Sequence, residues 1–91
     1  MGLNKKQTKT LKAIFDNPVR SDLAWSDIEK LFVALGAEIT EGRGSRVRIA
    51  LEDMKAVFHR PHPQKETDKG ALKSVRRFLT EAGFEPEEDK V

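Results

Sequence analysis

Apolar residues along the chain switch from a helical period to an alternating one and back again. From Ser26, the residues Ile28, Leu31, Phe32 and Leu35 fall at i, i+3, i+4 and i+7, one face of a 3.6-residue repeat. Ser26 and Glu29 have capping-box spacing, Asp27 puts negative charge in the first turn, and Gly36 stands where a left-handed terminating residue is wanted. Trp25, just ahead of the expected cap, reads as a partly buried anchor for the start of the helix, with stacking on a base as its alternative role. After Gly36 the period drops to two. Three short strands are expected: Ala37 to Glu41, Ser45 to Leu51, and Met54 to His59. The middle one alternates Val47, Ile49 and Leu51 with Arg46, Arg48 and Ala50. Gly42-Arg43-Gly44 and Glu52-Asp53 supply the turns.

Helices flank this sheet in sequence. Asn4 and Gln7 predict a capped first helix with a narrow apolar stripe of Leu11, Ile14 and Phe15, ended by Asn17-Pro18. Its polar face carries Lys5, Lys6, Lys9 and Lys12, which read as a solvated surface or as phosphate contacts. A last helix is expected from Thr67 or Asp68, with Ala71, Leu72, Val75, Phe78, Leu79 and Ala82 as a broad apolar face. Gly83 ends it, and Phe84 is placed to fold back on the last turn. Between sheet and helix, Pro61 and Pro63 forbid regular structure and make a stiff loop projecting His62. Connections this short force an antiparallel meander with helices over one face, so the fold class is α+β.

A chain of 91 residues is one domain's worth. The expected division is an N-terminal helical extension at 1–22, a core at 23–84 and a flexible acidic tail at 85–91. There is no cysteine, hence no disulfide and no thiolate metal site. The polar start MGLNKKQTKT carries no secretory signal, and no apolar run approaches the roughly 20 residues needed to span a bilayer. These features point to a cytoplasmic protein.

Charge changes the picture more than composition does. The net charge is only +2, but residues 42–77 hold 10 Lys and Arg against 4 Asp and Glu, a local +6. Residues 1–42 balance at 6 against 6, and residues 78–91 come to −4 with 1 against 5. A basic middle of this kind is the footprint of a polyanion, with nucleic acid first. If Val47, Ile49, Met54 and Phe58 face the helices, Arg46, Arg48, Lys55 and His59 share the open face of the sheet. Three cations and an imidazole there repel one another unless an anion lies across them. Arg43, Ser45, Lys65, Lys69, Lys73, Arg76 and Arg77 complete the expected nucleic-acid-binding set. Lys69 and Lys73 oppose the dipole at the start of the last helix, which a bound anion would explain.

His59 and His62 are the only histidines. Two histidines separated by Arg60 and Pro61, with no nearby carboxylate pair, make a poor metal site, and neither a metal nor a cofactor is expected. They suit acid–base work better, since imidazole is the side chain that titrates near neutrality. His62, held between two prolines, is the favoured base and His59 the alternative; a packing role for His62 is the competing reading. There is no GxxxxGK[ST], GxSxG or HExxH motif.

The order of these pieces resembles the HicA toxin family of toxin–antitoxin systems. The resemblance rests on Asp27-Ile28 through Gly36, Gly44-Ser45, Pro61-His62-Pro63, and Gly70 to Leu79 with Lys73-Ser74-Val75. It covers residues 26 to 84 and leaves the first helix outside. It implies a double-stranded-RNA-binding-domain-like fold, with a three-stranded antiparallel sheet packed on helices. It also implies mRNA interferase activity and neutralisation by a HicB-type antitoxin. The family's active-site histidine follows the Gly-Ser pair, and Arg46 occupies that position in this chain. Arginine cannot act as a general base, but it can bind phosphate and stabilise developing charge. Three readings follow: a nuclease in which His59 or His62 has taken over proton transfer and Arg46 assists, a non-catalytic RNA-binding module, and a basic face that docks an acidic protein.

Overall fold

Element boundaries follow the period changes to within a residue or two. The computed structural model describes residues 2–86 and runs α1 (Lys5–Ile14), α2 (Trp25–Ala34), β1 (Glu38–Glu41), β2 (Arg46–Leu51), β3 (Met54–His59) and α3 (Lys69–Glu81). The strands form one antiparallel sheet in the order β1-β2-β3. This is the expected α+β architecture. Of the expected tail at 85–91, residues 87–91 lie outside the described residues.

The helix ends show how local chemistry sets the elements. At α1 the full capping box forms: the Gln7 amide donates to Asn4 Oδ1 at 2.8 Å, and the Asn4 amide donates to Gln7 Oε1 at 3.0 Å. Both α2 and α3 end in a paired Schellman pattern. Ala37 N–H reaches Phe32 O at 2.9 Å and Phe84 N–H reaches Leu79 O at 2.8 Å, with Gly36 at φ 98° and Gly83 at φ 93°.

The expected box at α2 does not form. The helix starts two residues early, at Trp25, with Ala24 rather than Ser26 at the cap and no side-chain cap bond. Ser26 therefore falls inside the first turn, and Glu29 is drawn away to stronger, charged donors. Trp25 is also more deeply placed than expected, only 4% exposed.

Phe58 ties the sheet to two helices. Its ring lies 5.7 Å from Trp25, 6.1 Å from Phe32 and 5.8 Å from Phe78, and Phe32 and Phe78 meet edge-on at 5.8 Å. Val47, Ile49 and Leu51 from β2, and Leu72, Val75 and Leu79 from α3, close around this cluster. α1 belongs to the same core through Leu11 and Ile14. Arg76 of α3 holds it there, donating to Ile14 O at 3.0 Å and Asp16 O at 2.7 Å, with its guanidinium 5.7 Å from the Phe15 ring centre. Those carbonyls belong to the end of α1, where a cation is favoured.

Truncating Phe58 removes the ring shared by three aromatic partners. Phe58→Ala is expected to cost about 3–5 kcal/mol in urea unfolding, a large share of the stability of a domain this size. A loss below about 1 kcal/mol would show that the cluster does not hold sheet and helices together.

Candidate nucleic-acid interface

Strand parity builds the site. With Val47, Ile49, Leu51 and Phe58 buried, the alternate residues Arg46, Arg48, Lys55, Val57 and His59 are exposed on the face away from the helices. The register pairs Arg46 with His59, Arg48 with Val57, and Ala50 with Lys55. Arg60 N–H donates to Ser45 O at 2.8 Å, and β2–β3 bonding alternates from there, so Arg46 and His59 form a non-hydrogen-bonded pair. Such pairs bring Cα atoms to about 4.5 Å, the closer of the two cross-strand spacings. Guanidinium and imidazole therefore spring from adjacent points on one wet surface. Among the described residues neither Arg46, Arg48, Lys55 nor His59 takes part in an ion pair. The face also has a polarity: Glu38 and Thr40 of β1 share it, opposite Ala50 and Arg48, which leaves the Arg46–His59 end the more positive.

The remaining expected residues fall into distinct places. Arg43 and Ser45 are exposed in the turn before β2, which is closed by Gly42 N–H to Arg46 O at 3.0 Å. Gly44 adopts φ 62°, where an L side chain is strained. Lys55, Lys73 and Arg77 line one groove between β3 and α3. Lys65 and Lys69 are exposed on the approach to α3. Arg76 is placed otherwise than expected, since its guanidinium is occupied by the end of α1.

His62 is exposed on the loop after β3, and that loop is tied at both ends. Trp25 N–H donates to Lys65 O at 3.0 Å and Thr67 N–H to Leu23 O at 2.7 Å. At the other end Arg60 makes a two-pronged contact with Glu29, 2.7 Å from Nε and 3.1 Å from Nη2, and also reaches Glu41 at 3.4 Å. Trp25 Nε1 donates to the same Glu29 carboxylate. The Glu29 hydrogen bonds raise the Arg60 pKa, so the guanidinium stays charged at any working pH.

Sequence reading missed this network because the partners lie 31 residues apart. One signal was present, since continuing the alternation from Phe58 puts Arg60 on the inner side of the sheet, where a cation needs a carboxylate. Among the described residues, no group of three His, Asp or Glu side chains is gathered as a metal site.

Residues 25–87 match a family model described as the HicA toxin of bacterial toxin-antitoxin systems. The chain belongs to the HicA toxin family. No curated protein and no solved structure matches it. The HicA match starts at Trp25, the residue that opens α2, and takes in the sheet, the Pro-His-Pro loop and α3. It leaves α1 outside, as the sequence motifs implied. Membership makes the chain a toxin-type component whose systems include an antitoxin partner. Among the described residues no helix is long and apolar enough to cross a membrane.

Removing the Glu29 carboxylate strands both Arg60 and Trp25 Nε1. Glu29→Ala is expected to cost about 1–2 kcal/mol in thermal unfolding, the low end for charged hydrogen bonds because solvent screens the pair. Arg46→Ala, exposed and in no ion pair among the described residues, should stay within about 0.5 kcal/mol of wild type in the same assay.

Proposed function

We propose that this HicA-family chain is an endoribonuclease toxin that binds single- or double-stranded mRNA across the open sheet face and is neutralised by a HicB-type antitoxin covering that face. The observation carrying the reading is the cross-strand pairing of Arg46 with His59, with Arg48 two residues along β2. Arg46 stands where the family resemblance puts the active-site histidine, and the imidazole is found one strand over, on its direct neighbour. His59 is accordingly the base in this proposal, ahead of His62, whose loop lies beyond Arg60.

The reaction uses the RNA's own 2′-hydroxyl. His59 takes its proton, O2′ attacks the adjacent phosphorus, and the bond from phosphorus to O5′ breaks. The products are a 2′,3′-cyclic phosphate and a 5′-hydroxyl, whose proton comes from the imidazolium or water. Arg46 and Arg48 hold the phosphate and stabilise the charge that grows on its oxygens. DNA lacks the attacking group, so the chemistry discriminates RNA. Arg43, Lys65, Lys69, Lys73 and Arg77 extend the cationic surface along the strand.

Purified protein and a labelled RNA test the assignment. His59→Ala is expected to lower cleavage ~10²–10⁴-fold, the usual contribution of a positioned base, while His62→Ala retains most activity. Arg46→His should lower cleavage about 10–150-fold, since it removes one charge-assisted hydrogen bond worth roughly 1.5–3 kcal/mol. A gain in activity on Arg46→His would mean that the base is missing and that the protein binds RNA without cutting it.

Binding has its own signature. Charge reversal at Arg46 or Arg48 should reduce the log–log salt slope by about 0.7–0.9 for each phosphate no longer neutralised. An unchanged slope would move RNA off this face.

A further inference from the structure

The free edge of the sheet offers a second surface with a different chemistry. β3 pairs only with β2 among the described residues, so its other edge is unpaired. Arg60 N–H to Ser45 O sets the alternation of the β2–β3 ladder, in which residues 54, 56 and 58 bond to β2. The N–H and C=O groups of Lys55, Val57 and His59 therefore point outward along the open edge. α3 stands alongside and leaves a groove of about 470 Å³ between helix and strand. Its apolar lining includes Met54, Val57 and Phe58, and Val57 is 53% exposed. Lys55, Lys73 and Arg77 supply three cations, against one acid, Glu81. None of these three cations is in an ion pair among the described residues.

We propose that this groove captures an extended acidic segment of a partner protein, which adds to β3 as a fourth strand. An unpaired edge offers donors and acceptors in strand register, which a peptide backbone satisfies and a sugar–phosphate chain does not. A helix beside such an edge gives alternate side chains of the added strand a wall to pack on. Lys55 on the edge disfavours pairing with neutral or basic strands and selects an acidic one. The match is thus made by main chain for affinity and by charge for choice of partner. The site shares Lys73 and Arg77 with the outer reach of the proposed RNA surface but not the Arg46–Arg48 pair, and it stands whether or not the protein cleaves RNA.

The test uses the full chain, ¹⁵N-labelled, titrated with a blocked nine-residue peptide of alternating Glu and Val. Expected results are shifts across β3 and the facing side of α3, and slowed hydrogen exchange of the Lys55, Val57 and His59 amides. Lys73→Glu with Arg77→Glu, both at exposed helix positions, should weaken the peptide at least tenfold, and an alternating Lys–Val peptide should not bind. No shift at millimolar Glu–Val peptide, or shifts without slowed exchange of those three amides, overturns the proposal. So would a short RNA that protects the three amides where the peptide does not. Protection that grows with protein concentration alone would assign the edge to a second copy presenting its acidic β1 instead. Loss of RNA cleavage in the His59 variant with peptide capture intact would separate this site from the nuclease reading.

Discussion

The inward position of Phe58 is the constraint from which the outer surface follows. An aromatic ring locked among Trp25, Phe32 and Phe78 cannot rotate out without pulling the sheet away from the helices. Side chains on a strand alternate, so fixing one residue fixes its neighbours: Val57 and His59 must face water. The antiparallel register then carries the decision to β2 and brings Arg46 and Arg48 onto the same side. A slip of one residue would bury two guanidinium groups and expose Val47 and Ile49. The core makes that slip prohibitively costly, and so the apolar cluster positions the polar surface.

The basic middle of the chain is less uniform than its count suggests. Two of its guanidinium groups serve the fold: Arg60 braces the start of the Pro-His-Pro loop against α2 and β1, and Arg76 closes the end of α1. Both sit where solvent is partly excluded and both face carboxylates or carbonyls. Among the described residues, the cations in no ion pair are distributed over the sheet face, the β3–α3 groove and the turn before β2. Like charges held this close raise the field that a polyanion would meet.

Much of the fold was legible because the deciding signals are local. The 3.6-residue stripe of α2, the alternation of β2, the Asn4–Gln7 box and the glycines that end α2 and α3 all operate within a few residues of one another. The outer-face set of Arg46, Arg48, Lys55 and His59 was legible for the same reason, given that Phe58 is apolar and His59 is not. What escaped were partners distant in sequence. Glu29 looked like the second half of a cap for Ser26, yet its carboxylate belongs to Arg60 and Trp25. Arg76 looked like part of an RNA surface because its helix position is amphipathic, and only the packing of α1, 62 residues away in sequence, claims it. Glu38 went unnoticed because a four-residue strand gives alternation too few points to declare a face.

α1 separates the extent of the family match from the extent of the core. The family likeness spans residues 25–87. The unit that coheres is larger, since Leu11 and Ile14 lie in the same buried cluster as Phe32 and Leu79 and an arginine inside the matched part reaches back to grip the helix outside it. Excising residues 25–87 at those borders would lay bare the apolar seam that Leu11 and Ile14 now cover. The helix that lies outside the family match is thus a structural part of the core inside it.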